Sequence, residues 1–242
     1  MLQVKNLTKS YAGSEVKAVN SLSLNLRAGE IYGFLGPNGA GKTTTIKMIT
    51  GILSYSEGEI LICGHNLKTE PIKAKKNIGF VSDSHVVYDK LTGREYVNFM
   101  ADIYDVSEED REQRATKLLN LFRLTDAFDK QICTYSHGMK QKISIIGALI
   151  HNPSIWILDE PMTGLDPESS HQLKTLMREH CDNGNVVFFS THVLEVAEKV
   201  CDRIGIISNG VLIKEGTVDE IKSSSADKTL EDVFLSLTDK EA

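Results

Sequence analysis

The chain has 242 residues, 41% of them hydrophobic, with a formal net charge of −6, so it can bury one large core or a core plus a lobe. The acidic balance gives no electrostatic footprint for nucleic acid, and none is expected as a partner. The longest apolar stretch, Ile143 to Leu158, is broken by His151, Asn152 and Pro153 and falls short of the ~20 residues that span a bilayer. Leu2-Gln3-Val4-Lys5-Asn6 is too mixed for a signal-peptide core, and Cys63, Cys133, Cys181 and Cys201 form no CxxC pair, as in a reduced, cytosolic protein.

In chain order, the first thirty residues alternate in β fashion (Val4, Val16, Ala18, Leu22, Leu24, Leu26) around a turn at Ala12-Gly13-Ser14. Ile31-Tyr32-Gly33-Phe34-Leu35 reads as a buried strand that leads into Gly36-Pro37-Asn38-Gly39-Ala40-Gly41-Lys42-Thr43-Thr44. A helix through Thr50, stopped by Gly51, leads out. Gly, four residues, then Gly-Lys-Thr between strand and helix is the spacing of a phosphate-binding loop. Its glycines let backbone N–H groups curl around a phosphate at a helix N-terminus. Lys42 can reach the β- and γ-phosphates, and the Thr43 hydroxyl can ligate Mg²⁺.

Glu59-Ile60-Leu61-Ile62-Cys63 and Ile78-Gly79-Phe80-Val81 read as further strands. From about Thr92 to Leu124 the chain turns polar and helical in period, with Leu118, Leu119 and Phe122 on one face. Ser136 is a good N-cap for a helix whose Ile143, Ile146 and Ile150 share a buried face. Strands are predicted at 155–158, 185–190, 203–208 and 211–214, the last two joined by the hairpin signal Asn209-Gly210. The first of these runs into Asp159-Glu160. Both acids then lie at the carboxyl edge of a sheet, where Asp159 suits the Mg²⁺ shell and Glu160 can accept a proton from an attacking water. Ser190-Thr191-His192 reads as a helix start, and Leu230, Val233, Phe234 and Leu237 are spaced for one buried face, against this chain or a partner. The sum is an α/β core with an antiparallel β portion in front and a helical insertion.

This order of motifs, with Ser136-His137-Gly138 opening a helix and Gly164-Leu165-Asp166 before the last helices, resembles the ATP-binding cassette (ABC) ATPases along nearly the whole chain. The resemblance implies a P-loop hydrolase core with an N-terminal antiparallel β subdomain, a helical subdomain at approximately 84–150 and a C-terminal hairpin with helices at 203–242, all within a single cassette, 1–242. It implies ATP and Mg²⁺ as cofactors and two cassettes, identical or different, paired head to tail. Ser136 and the Gly138 N–H would bind the γ-phosphate held by Lys42 of the other subunit. His192 would contact the γ-phosphate and help Glu160 hold water, Asp166 would link the two sites, and Tyr11 would stack on adenine.

Two motifs depart from the family pattern. Leu-Ser-Gly-Gly-Gln is replaced at three places, by Tyr135, His137 and Met139, while the serine and second glycine are kept. The form resembles cassettes of ABC-2 type exporters of drugs, bacteriocins or sodium. These serve a separate integral membrane permease from the cytoplasmic face of the cell membrane, docking it near residues 83–96, where Ser84-His85-Val86-Val87-Tyr88 offers apolar contact. The family's metal-reaching glutamine is Asp83 here, which either ligates Mg²⁺ directly or leaves a gap bridged by water. A soluble cassette machine unconnected with transport is the alternative, but it calls for two cassettes or a long heptad insertion, and neither is present. The Asn-Lys-x-Asp motif of a GTPase is absent as well.

Overall fold

The way apolar residues fall along each strand decides which faces are covered. The computed structural model describes residues 1–11, 13, 16–83, 88–223 and 229–238. The strands β1 (Leu2–Ser10), β2 (Lys17–Leu26), β4 (Glu57–Ile62) and β5 (His65–Asn66) form an antiparallel sheet in the order β2-β1-β4-β5. Along β2, Leu22, Leu24 and Leu26 are buried while Ser21, Ser23 and Asn25 are exposed, the alternation of a sheet covered on one side.

The second sheet is different. Every residue of β3 (Ile31–Leu35), β7 (Ile155–Asp159) and β8 (Val186–Thr191) is buried. With β6 (Ile78–Val81), β9 (Arg203–Ser208) and β10 (Val211–Thr217) they run in the order β10-β9-β3-β8-β7-β6, parallel except for β10 against β9. Continuous apolar strands need cover on both faces, and they have it. Ile155 and Ile157 join the core with the antiparallel sheet and α1 (Lys42–Ile49). Trp156 and Leu158 point the other way, toward α3 (Gly93–Ile103), α4 (Glu108–Phe122), α5 (His137–Leu149) and α6 (Pro167–Asp182). The short helix α2 (Pro71–Lys75) precedes β6.

Local signals place the helix starts. Thr92 and Glu95 form a reciprocal capping box on α3, and Ser107, Ser136 and Asp166 cap α4, α5 and α6. Asn209 and Gly210 both adopt positive φ, 46° and 77°, as a two-residue turn between β9 and β10 requires. Beyond it α8 (Val218–Ser223) and α9 (Leu230–Thr238) pack with α7 (Leu194–Val200). Leu230 and Val233 are buried with Ala197, Ile206 and Ile221, and Phe234 and Leu237 lie against the same cluster, so the tail's apolar face is closed by its own chain.

Two expectations need correcting. Val16 is 75% exposed and takes no part in the inward face of the first sheet. Ser190 and Thr191 finish β8 and α7 begins at Leu194, so His192 sits in the connecting turn and starts no helix; Thr191 uses its hydroxyl to accept the Val193 N–H at 3.0 Å. Ala12 and Ser14 of the expected turn, and Ser84, His85, Val86 and Val87 of the expected docking segment, lie outside the described residues. Among the described residues no helix is long and apolar enough to cross a membrane.

Two imidazoles, His180 buried and His151 half-buried, tie stability to pH. His180 on α6 meets the Trp156 ring edge-on at 5.8 Å, and His151 stacks on Tyr104 at 3.6 Å. Burial pushes each down from 6.5 to about 4. The unfolded chain therefore binds more protons between these values. The stability is fully present above pH 6.5 and is lost as pH falls through the window to about 4. The thermal midpoint should drop from pH 7 to pH 5, and His180→Leu should reduce the drop; an unchanged drop in the variant would remove His180 as its source.

Candidate active site

The loop between β3 and α1 is shaped by backbone crowding. A Cβ on Gly36 would lie 2.5 Å from the Ile207 carbonyl oxygen. At Gly41, φ is +107° and a Cβ would lie 2.6 Å from the Ala18 carbonyl oxygen. Only glycine meets both conditions. Gly41 is also the N-cap of α1 and supplies no side-chain acceptor, so the first amides of the helix remain available to an anion. A cavity of about 240 Å³ opens here, lined by loop residues between Pro37 and Thr44 together with Ala18, Asp83 and Glu160. Lys42, only 7% exposed, donates from Nζ to the carbonyls of Gly36 (2.7 Å) and Pro37 (3.2 Å) and stands 3.7 Å from Glu160 Oε1. At the rim the half-exposed Tyr11 places its hydroxyl 3.4 Å from Thr44 Oγ1.

Facing the loop, β7 and β8 deliver the acids. Their parallel register puts Asp159 beside Ser190. The buried Ser190 hydroxyl donates to Asp159 Oδ1 and accepts the Glu160 N–H at 3.0 Å. Asp159 is 1% exposed, and burial raises its pKa; hydrogen bonds from the Ser190 and Thr43 hydroxyls oppose the rise, while the Asp83 and Glu160 charges add to it. Glu160 has φ +50°, uncommon outside glycine, and its Oε2 lies 3.0 Å from His192 Nδ1. Lys42, Thr43, Asp83, Asp159, Glu160 and His192 are thus brought to one edge of the parallel sheet.

The donor set suits a hard cation, with the Thr43 hydroxyl against the Asp159 carboxylate and Asp83 close by. Among the described residues no group of three His, Cys, Asp or Glu could hold a metal by itself. A magnesium ion, which keeps water and borrows phosphate oxygens, asks for fewer protein ligands than that.

Ser136 and Gly138 do not line this cavity. Ser136 is exposed and caps α5 by accepting the Met139 N–H at 3.3 Å. The start of α5 packs on the loop before α6, where a Cβ at Gly138 would sit 3.2 Å from the Gly164 carbonyl oxygen and one at Gly164 2.4 Å from the His137 ring. Asp166 accepts the Ser169 N–H (2.8 Å) and O–H (2.6 Å) and pairs with Lys142 at 3.4 Å. These contacts, Ser169 first, hold its carboxyl well below the usual carboxylate range. Tyr135 is buried and donates to the Ala127 carbonyl at 2.6 Å, so the departure at this position fills the helical core. Ser190 and Gln141 escape sequence reasoning. Gln141, fully buried, donates to the Pro161 carbonyl and ties α5 to the exit of β7. The one sequence signal for Ser190 is a hydroxyl closing the run Val186-Val187-Phe188-Phe189.

Known proteins share this arrangement. The family model described as ABC transporter matches residues 19–163. The chain is 37% identical over 230 residues to the linearmycin resistance ATP-binding protein LnrL of Bacillus subtilis (strain 168), an overlap of 95% of this chain and 73% of that protein. It is 38% identical over 229 residues to the daunorubicin/doxorubicin resistance ATP-binding protein DrrA of Streptomyces peucetius, covering 95% and 69% respectively. Among solved structures, the ATP-binding subunit of an ABC transporter superposes with a TM-score of 0.93 at 33% identity over 98% of this chain and 99% of that one. The dimeric post-hydrolysis state of the cassette MJ0796 bound to ADP and Pi superposes with 0.82 at 28% identity, over 90% and 98%. With the phosphate loop and the paired acids in place on that fold, the chain belongs to the ABC transporter family, as an ATP-binding and ATP-hydrolysing subunit.

Proposed function

We propose that this subunit powers an exporter whose permease is a separate polypeptide, and that two cassettes close head to tail around two Mg-ATP. The observation that carries the pairing is that Ser136 and Gly138 stand outside the cavity holding Lys42 and Glu160. The helix start they form is an anion site that a second subunit can lay against that cavity. LnrL and DrrA, both named for drug resistance, support the export reading, as does the drug- and bacteriocin-exporter form of the segment around Ser136.

In this reading the loop amides between Gly36 and Thr44 cradle the β-phosphate, Lys42 neutralises the β- and γ-oxygens, and Tyr11 stacks on the base. Thr43 and Asp159 would hold magnesium, with Asp83 as a further oxygen donor, and the bound ion would supply neutralisation of charge developing on the phosphates. Glu160 takes the proton of the attacking water, with His192 fixing its Oε2 side and Lys42 its Oε1 side. Asp166 joins one site to the other through α6, which it caps.

The permease docks beside Asp83. Tyr88 and Phe99 are exposed, edge to face at 5.5 Å, and with Asp89, Lys90 and Leu91 they line an apolar depression of about 430 Å³ that such a partner can fill. That contact would hold the subunit at the cytoplasmic face of the cell membrane. The same surface weighs against a soluble cassette with no transport role.

Two measurements test the chemistry. General-base help is worth ~10²–10⁴-fold, so Glu160→Gln should lower turnover by at least ~10²-fold and accumulate a dimer on ATP. Turnover at the parent rate would refute the base assignment. Asp83→Gln removes one of the negative charges acting on Asp159 and should raise the Mg²⁺ concentration needed for half-maximal activity; an unshifted titration would take Asp83 out of the metal site.

A further inference from the structure

The geometry points to Ser190 as a positioning residue that aims the Glu160 carboxylate, an inference that rests on Glu160 being the base. Asp159 and Glu160 are adjacent in sequence but need opposite settings. One has to face Thr43 and the metal, the other the attacking water. Ser190 is fully buried on the neighbouring strand, level with Asp159 in the parallel register. Its hydroxyl has one proton and two lone pairs, and both functions are in use. The proton goes to Asp159 Oδ1, leaving the other carboxylate oxygen free of the serine. A lone pair receives the Glu160 N–H at 3.0 Å.

The second bond is the unusual one. At φ +50° Glu160 has left the strand conformation, and a non-glycine residue stays there only if its surroundings hold it. Ser190 grips the backbone at the point of the reversal. From that point the side chain returns toward the cavity, with its two oxygens at Lys42 and His192. With the hydroxyl gone, the Glu160 N–H would lose its partner and the αL turn its anchor. The carboxylate would then drift while the phosphate loop, to which the Ser190 hydroxyl makes no hydrogen bond, kept its shape.

The test is a double-mutant cycle on the full chain, with steady-state ATP hydrolysis over a range of ATP concentrations as the readout. Ser190→Ala should lower the rate ~10–100-fold, with the loss in kcat exceeding any change in KM, because misplacing a catalytic group by a fraction of an ångström to 1 Å has that order of cost. Ser190→Thr, which keeps the hydroxyl, should recover most of the loss. In a Glu160→Gln background the same Ser190→Ala change should alter the slow residual rate by less than ~2-fold, since groups acting through one another are not additive. An equal loss in both backgrounds would overturn the inference and place the effect on the fold or on Asp159. So would a Ser190→Ala rate equal to the parent's. If the alanine variant is recovered unfolded, Ser190→Cys, nearly the same size and a far weaker donor, supplies the same comparison. A Glu160→Gln variant that turns over at the parent rate would instead sink the base assignment itself.

Discussion

Asp159 is a carboxylate placed almost wholly out of water at the end of an apolar strand, and the neighbourhood is arranged to keep it there. Burial disfavours its charge, and hydroxyls from two different elements, Thr43 on α1 and Ser190 on β8, work against that. Those partners can reach it only because β7 lies between β6 and β8, with α1 opening from the end of β3. The buried acid, the helix start and the strand order thus form one constraint. Slipping β7 by a single residue would flip Asp159 away from Thr43.

The same constraint explains the asymmetry of the site. One edge of the sheet collects the loop, Asp159, Glu160 and His192, whereas the start of α5 is built into a separate unit. There His137 packs on Gly164, Gln141 reaches Pro161, and Asp166 is held by Ser169 and Lys142. Through Pro161 this unit connects with the end of β7, where Asp159 and Glu160 lie.

Much of this was legible in the residues, for physical reasons. The phosphate loop works through backbone geometry, which fixes the glycine spacing, so the spacing alone announces it. Strands covered on both faces have to be apolar throughout, so 155–158 and 185–190 stood out, and the hairpin at Asn209-Gly210 needs positive φ that few residue pairs supply. Less was readable where function depends on contacts across strands. Nothing local to Ser190 says that it bridges Asp159 and Glu160, because the bridge exists only in the parallel register. His192 looked like a helix start, since a Ser-Thr-His run caps well, yet the strand holds its first two residues and the helix waits until Leu194. Val16 fits the alternation of its neighbours but falls before β2 begins and is left exposed.

The central claim is that one chain holds only part of each hydrolytic site, and that the missing wall is the α5 start of another. The most direct measurement is ATP hydrolysis per molecule of the isolated subunit over a wide range of protein concentrations. If a second copy completes the site, the rate per molecule rises with concentration and levels off once pairs predominate. A rate per molecule that stays constant down to dilutions at which the protein sediments as a monomer would contradict the account.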